Sequence, residues 1–181
     1  MEARELHELH EHAEHGKHDP NLAPVSLTMA ALAVLVAVAS LLGHRAHTEE
    51  VLLQAKASDQ WSYYQAKNIR MHEDEIAVDA SGLTPSKDVE AAAKFREKYA
   101  REAERYRDER KEIEAEARKL EQEVDLQRRR ANRFDLGEVF LEIALVIASI
   151  TLLSGKRVFW HGGLLIALLG VAAAATGLFL M

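Results

Sequence analysis

The chain has no cysteine. That absence removes disulfides, thiolate nucleophiles and Cys-based zinc or iron–sulfur sites. No G-x-G-x-x-G, P-loop, nucleophile elbow or H-E-x-x-H occurs in it. There is no excess of basic charge either. The formal net charge is −6, which argues against nucleic acid as the main partner. Turn residues are scarce through the long middle stretch Gly43–Asp135, which is rich in Glu, Lys, Arg and Ala. Outside three apolar segments no stretch has the mixed apolar content of a globular core. At 181 residues the chain is short for both a membrane bundle and a large aqueous domain. We therefore expect no enzyme here.

The three apolar segments are what the sequence does have. The first, APVSLTMAALAVLVAVASLL, carries no charge and has Pro24 in its first turn, where a helix tolerates it. The second, FDLGEVFLEIALVIASITLLSG, has two glutamates near its start. The third, VFWHGGLLIALLGVAAAATGLFLM, opens with Phe159, Trp160 and His161, an interfacial aromatic signature. About 20 apolar residues at 1.5 Å each span a hydrocarbon core of roughly 30 Å. The expected fold is an all-α membrane protein with transmembrane helices at 23–43, 136–154 and 158–181. The second and third are joined so briefly, by Ser154–Arg157, that they must form a tight antiparallel pair. Ala30, Ala33, Ala37 and Ser40 offer one small-residue face, and Ala172, Ala173 and Gly177 another.

Three crossings put residues 1–22 and the Lys156-Arg157 loop on one side, with the insert and the C-terminus on the other. Residues 1–22 do not read as a signal peptide, being acidic and His-rich without a basic start. Near the membrane the insert side carries Arg45, Arg128, Arg129, Arg130 and Arg133, against Lys17, Lys156 and Arg157 opposite. Excess Lys and Arg mark the cytoplasmic side, which places the insert in the cytoplasm.

The insert, residues 44–135, reads as a long antiparallel, coiled-coil-like helical hairpin between the first and second spans. Its one strong breaker is Ala80-Ser81-Gly82-Leu83-Thr84-Pro85-Ser86, with the turn near 80–87. The arms fall near Arg45–Asp79 and Lys87–Phe134, and Thr84 or Ser86 is suited to cap the second. The second arm has a 3-4 repeat that starts at Val89, Ala92, Arg96, Tyr99, Ala103 and Tyr106. It continues through Arg110, Ile113, Ala117, Leu120, Val124, Gln127, Ala131 and Phe134 toward Glu138 and Leu141. Such spacing keeps one seam against a partner helix. The first arm has a weaker repeat. It is also the shorter by roughly a dozen residues, so either the second is interrupted near the turn or its tip projects. A two-helix stalk with so polar a seam is marginal alone, so a homo-oligomer is expected.

One block stands out in the first arm: Ala57-Ser58-Asp59-Gln60-Trp61-Ser62-Tyr63-Tyr64-Gln65-Ala66-Lys67. It follows a segment ending Ala39-Ser40-Leu41-Leu42 and precedes the terminal pair with its basic turn Lys156-Arg157-Val158-Phe159-Trp160. In this order the whole chain resembles an uncharacterised bacterial membrane-protein family, domain of unknown function 4337. The resemblance implies a bacterial inner membrane and carries no established activity. Read from its residues alone, Asp59, Gln60, Trp61, Tyr63 and Tyr64 are either a packing block or a recognition patch for a partner.

Two other regions hold candidate chemistry. The tail contains His7, His10, His12, His15 and His18 interleaved with Glu5, Glu8, Glu11, Glu14 and Asp19. Imidazole and carboxylate suit Zn²⁺, Ni²⁺ or Cu²⁺, while a solvated tail and a pH-dependent interaction are the other readings. At the membrane neck, Asp135, Glu138 and Glu142 share one face of the entering helix, and His44, Arg45 and His47 leave the first span. An ion-paired collar, a metal site of His44, His47 and Glu138, or a ring of Glu142 lining an ion path are the alternatives. His72 and His161 read as single histidines, and Asp74 and Glu75 as stalk charges. The expected function is a membrane-anchored oligomeric scaffold or accessory subunit engaging another membrane or membrane-associated protein complex. The alternative is a metal-binding or ion-conducting membrane protein.

Overall fold

A computed structural model describes residues 22–83 and 87–180. The histidine tail and the segment 84–86 lie outside the described residues. Three helices account for almost all of the rest: α1, Ala23–Leu83; α2, Val89–Ser154; and α3, Arg157–Leu178. Among the described residues there is no strand. Each helix holds a stretch long and apolar enough to cross a membrane. The chain divides into two units, one of residues up to Ala46 with Arg129 onward, the other His47–Arg128.

In the first unit α2 runs antiparallel to α1 and α3. The core gathers Leu32 and Ala39 of α1, Leu141, Ala144 and Ala148 of α2, and Ala167 of α3. At one end Ala46, Ala131 and Phe134 close it, with Leu42 and Ala174 against them. The α2–α3 contact is built on missing side chains. Gly163, Ala167, Gly170 and Gly177 are the buried residues of α3, at 4-3-7 spacing. A methyl on Gly163 would meet the Ala144 carbonyl oxygen at 3.0 Å, and one on Gly177 the Phe134 ring at 3.1 Å. Gly137 and Gly170 face each other. A methyl on Gly137 would stand 2.7 Å from the Ala174 Cβ and 2.9 Å from the Gly170 carbonyl oxygen. Small residues let backbones approach this closely in lipid, where dispersion rather than water expulsion holds helices together.

The small faces expected from sequence are used only in part, with Ser40 and Ala173 half-buried. Ala30, Ala33 and Ala37 are exposed; α1 buries Val25, Leu32, Ala39, Gly43 and Ala46 instead. Ala172 is exposed, while Gly177 is buried as expected. Position on the helix decided the contact, because the buried set keeps one heptad phase and the alanines lie off it. Between α2 and α3 only Gly155 and Lys156 are non-helical. Gly155 adopts φ +66° and its N–H bonds the Thr151 carbonyl at 2.9 Å, the left-handed stop that glycine makes cheap. Trp160 donates its indole N–H to Thr28 Oγ1 at 3.2 Å, tying the start of α3 to the start of α1.

In the second unit α1 and α2 also run antiparallel, and their partners keep step. Arg96 reaches Ser81, Arg107 reaches Glu75, Arg110 reaches Asn68, Trp61 reaches Glu121 and Arg128 reaches Glu50. The shared seam is buried at Leu53, Ala57 and Met71 of α1 and at Ala103, Tyr106, Ile113, Ala117 and Val124 of α2. Val89, assigned to the seam from sequence, is 78% exposed, and Arg96 is exposed too. The seam thus tightens only from Ala103 onward.

Two expectations about the turn change. α1 does not stop at Asp79 but runs through Gly82 to Leu83. The difference between the arms narrows to seven residues, 39 in Arg45–Leu83 against 46 in Val89–Phe134, and with Arg96 at Ser81 the first turns of α2 extend past the end of α1. The extra turn is stabilised from α2: Arg96 donates to Ser81 Oγ at 3.0 Å and to the Ser81 carbonyl at 2.8 Å. A guanidinium on a C-terminal carbonyl satisfies an acceptor the helix leaves open. A single glycine costs a helix only about 1 kcal/mol, too little to end it against those bonds. The cap of α2 is Asp88, whose Oδ1 accepts from the Ala91 N–H at 2.9 Å. An Asp one residue before the helix reaches its third N–H, while the expected caps Thr84 and Ser86 lie outside the described residues.

Candidate functional site: the stalk faces and the membrane neck

The conspicuous aromatic block of α1 splits across two faces. Trp61 and Tyr64 turn toward α2. Their rings meet edge to face at 5.4 Å, and the indole N–H donates to Glu121 Oε1 at 2.9 Å. Arg118 lies over the Trp61 ring at 5.8 Å and Arg110 over Tyr64 at 5.5 Å. Ring faces attract guanidinium groups, so the arginines of α2 shield the aromatics of α1 from water while staying hydrated themselves. Tyr63 is 49% exposed, with Asp59 exposed beside it and Gln60 half-buried. The block therefore combines a packing half with an outward half.

Further along, the seam turns charged. Lys67 donates to Glu109 Oε2 at 2.6 Å and lies 5.0 Å from the Tyr106 ring and 5.3 Å from the Tyr63 ring. The Glu109 hydrogen bond holds the Lys67 ammonium above its ordinary range. Arg110 bonds Asn68. Asp74 is the exception. Its Oδ2 is buried with no hydrogen-bond partner. Burial pushes its carboxyl up, and Glu102 and Glu73 push further, against the pull of Arg105 and Lys98. Next to it Glu75 is held below the ordinary carboxylate range by hydrogen bonds from His72 and Arg107. His72 is thus not the isolated histidine its sequence context suggested: Nδ1 sits 3.0 Å from Glu75 Oε2. His161 likewise stacks on Trp160, with ring centroids 5.1 Å apart.

A shallow groove of about 440 Å³ lies here, lined by Glu75, Val78, Asp79, Ala100, Ala103, Glu104 and Arg107. Arg107 pairs with both Glu75, at 2.7 Å, and Glu104. Three carboxylates, Glu75, Asp79 and Glu104, thus line the groove against the one guanidinium of Arg107.

The neck residues separate. In the first unit Gly43 lets α1 pass under Asp135: a methyl there would stand 2.8 Å from Asp135 Oδ1. His44 and Arg45 are exposed, Glu138 half-buried and Glu142 exposed on α2. Arg130 donates through Nε and Nη2 to the Leu180 carbonyl, at 3.0 and 2.6 Å. His47 belongs to the other unit, 3.4 Å from Glu50, which Arg128 also meets at 3.0 Å. No group of three or more His, Asp or Glu able to hold a metal occurs among the described residues. His7, His10, His12, His15 and His18 lie outside the described residues.

One surface escaped the sequence reading. A second 3-4 row on α1 (Leu52, Ala55, Asp59, Ser62, Ala66, Ile69, Glu73, Ile76, Ala80 and Leu83) is exposed at every position. Its signal was present in the periodicity but was overlaid on the internal seam.

Among protein-family models, the one described as a domain of unknown function (DUF4337) matches residues 21–180. No curated protein and no solved structure matches the chain.

Proposed function

We propose that this chain, which belongs to the family of the domain of unknown function 4337, is a membrane-anchored oligomeric scaffold or accessory subunit. In this reading its three apolar helices cross a bacterial inner membrane. The paired parts of α1 and α2 form a hairpin stalk, inserted between the first and second spans, on the cytoplasmic side. The stalk binds other proteins and catalyses nothing.

The observation that carries the reading is the contrast between the two outer faces of the stalk. α2 presents charge, satisfied along its own length by Lys94–Glu90, Arg101–Glu97, Lys111–Asp108 and Arg118–Glu114 pairs. α1 presents Leu52, Ile69, Ile76 and Leu83, each more than half exposed. Exposed apolar residues in a row, rimmed by polar ones, mark protein-interaction surfaces. The test is purification of the full chain from its native membrane in mild detergent, with mass by light scattering. A multimeric mass with one protein complex co-purifying in fixed ratio supports it. A monomer with nothing attached overturns it. Sidedness is read separately from Ala91→Cys and an impermeant maleimide, where labelling of intact cells puts the stalk outside.

Glu142 favours one second reading. A carboxylate exposed on an apolar span is costly in lipid, and several copies could turn it onto a shared ion path. Glu142→Gln would then abolish conductance in reconstituted vesicles without changing the oligomeric mass.

A further inference from the structure

We infer that the exposed row of α1 is a parallel self-association seam, on which the same row of a second copy docks. The inference rests on the membrane-anchored oligomer proposed above and names the face that assembles it.

The row has the geometry of a coiled-coil seam. Leu52, Ala66, Ile69, Ile76, Ala80 and Leu83 recur at alternating three- and four-residue spacing with Asp59, Ser62 and Glu73 among them, all exposed. Apolar residues at this period keep one line of a helix facing a partner helix along its whole length. The internal seam of the hairpin has the same period, so α1 carries one seam for α2 and a second left without a partner. The exposures are large: 57% at Ile69, 65% at Ile76 and 86% at Leu83.

Three features select a second copy as the occupant. The first is direction. α1 is one helix from the apolar segment to Leu83, so two copies in one membrane point their α1 helices the same way. A parallel pairing sets each residue against itself, which stacks Ile69 on Ile69, Ile76 on Ile76 and Leu83 on Leu83. The second is charge. In a parallel pair the flanking positions of one helix meet those five residues further along the other. This sets Val51 against Lys56, Ser58 against Tyr63, Gln65 against Arg70 and His72 against Ala77, so no like charges meet at these flanking positions, and like charges meet only at Asp59 and Glu73 within the row. The outer face of α2, dense in both signs and already paired along its own helix, offers no such apolar line. The third is size. From Leu52 to Leu83 the row runs about 47 Å at 1.5 Å per residue. With its flanks it presents roughly 20 residues per copy, the scale of a standard interface of about 800 Å² on each side.

Asp59 and Glu73 meet their own copies in this arrangement. Polar groups at core positions of a coiled coil fix register at a cost in affinity. They mark the seam as a reversible contact, weaker than the internal one.

Because the chain has no cysteine, single-cysteine variants of the full chain report the contact directly. Ile69→Cys and Ile76→Cys are oxidised in native membranes beside Lys111→Cys and Arg101→Cys, which lie on the outer face of α2. The expected result is disulfide-linked homodimer at 69 and 76, forming on the order of tenfold faster than at 101 and 111, as held proximity raises effective concentration. Ile69→Glu, tolerated by an exposed position, should abolish the Ile76→Cys link, and Glu73→Leu should strengthen it. Equal rates at all four positions, or a link from 69 to a different protein, overturn the inference. A multimeric mass in detergent without links at 69 and 76 also overturns it, yet leaves the oligomeric scaffold standing. A monomeric mass overturns both.

Discussion

Gly137→Ala isolates the energetics of the close α2–α3 contact. The added methyl would stand 2.7 Å from the Ala174 Cβ, 2.9 Å from the Ala174 nitrogen and 2.9 Å from the Gly170 carbonyl oxygen. Carbon atoms in good contact are about 3.5–4.0 Å apart, so α2 and α3 must separate locally by about 1 Å. Two of the three obstacles are backbone and have no rotamer in which to escape. Overpacking of this kind costs about 1–3 kcal/mol, and a backbone obstacle argues for about 3. Alanine returns up to about 1 kcal/mol of helix propensity, for a net loss of about 2. Gly162→Ala is the matched control. It lies in the same bundle, on α3, with nothing within 4 Å of the new methyl, and should gain up to about 1 kcal/mol. The two variants should thus differ by about 3 kcal/mol. Reversible unfolding in mixed micelles reads this difference through Trp160 fluorescence in a Trp61→Phe background, because the Trp160 indole is held to Thr28. A difference below about 0.5 kcal/mol would refute close backbone packing as the basis of the α2–α3 pair.

Other outcomes follow from single contacts in the stalk. Asp88→Ala removes the acceptor for the Ala91 N–H; the first turn of α2 should lose about 1 kcal/mol, seen as faster amide exchange there and not at Ala117. Asp74 gives a pH signature. Its carboxyl is raised in the folded chain by burial, so folding binds a proton. The stalk is then most stable below the unfolded value of about 3.9 and loses that stability as pH rises through the higher folded value. Asp74→Asn should slow exchange of the flanking amides at pH 7, with the gain vanishing near pH 3; identical rates at pH 7 would count against it. Glu75 has the opposite sign. Its value is lowered by His72 and Arg107, so its contribution is present at neutral pH and lost on acidification, and Glu75→Gln should weaken the stalk at pH 7 but not at pH 3.

The helices were legible because their signals are long. Charge-free runs of membrane length and a 3-4 repeat from Ala103 to Phe134 survive any local noise. What stayed hidden depended on which side of a helix faces inward. Ala30, Ala33 and Ala37 looked like a packing face because small residues were counted without phase. The buried set, Val25, Leu32, Ala39 and Ala46, recurs every seven residues and mixes large with small side chains. The repeat of the first arm seemed weak for a related reason. Its seam between Ala57 and Met71 passes through Gln60, Tyr64 and Lys67, residues that read as polar until Glu109 and the Tyr106 ring are placed opposite. The turn was misjudged because Gly82 was weighed without Arg96, whose contacts with Ser81 arrive from another helix.

That last case points to what the polar seam contributes. A hairpin joined by leucines alone could slide by a heptad at little cost, since each apolar layer resembles the next. Asn68 with Arg110, Glu75 with Arg107 and Ser81 with Arg96 are unlike neighbours, and a seven-residue slip would leave each facing the wrong group, whereas Lys67 would exchange Glu109 for Glu102 or Glu116 and gives no such discrimination. Partly exposed pairs add little net stability, since attraction is offset by desolvation and lost side-chain freedom. Losing one while keeping its partner half-buried is more costly, so the native register is favoured mainly by penalties on the others. Fixed register in turn sets where Ile69, Ile76 and Leu83 stand along α2, while their common line outside follows from the seven-residue spacing on α1 itself, which a heptad slip would not change.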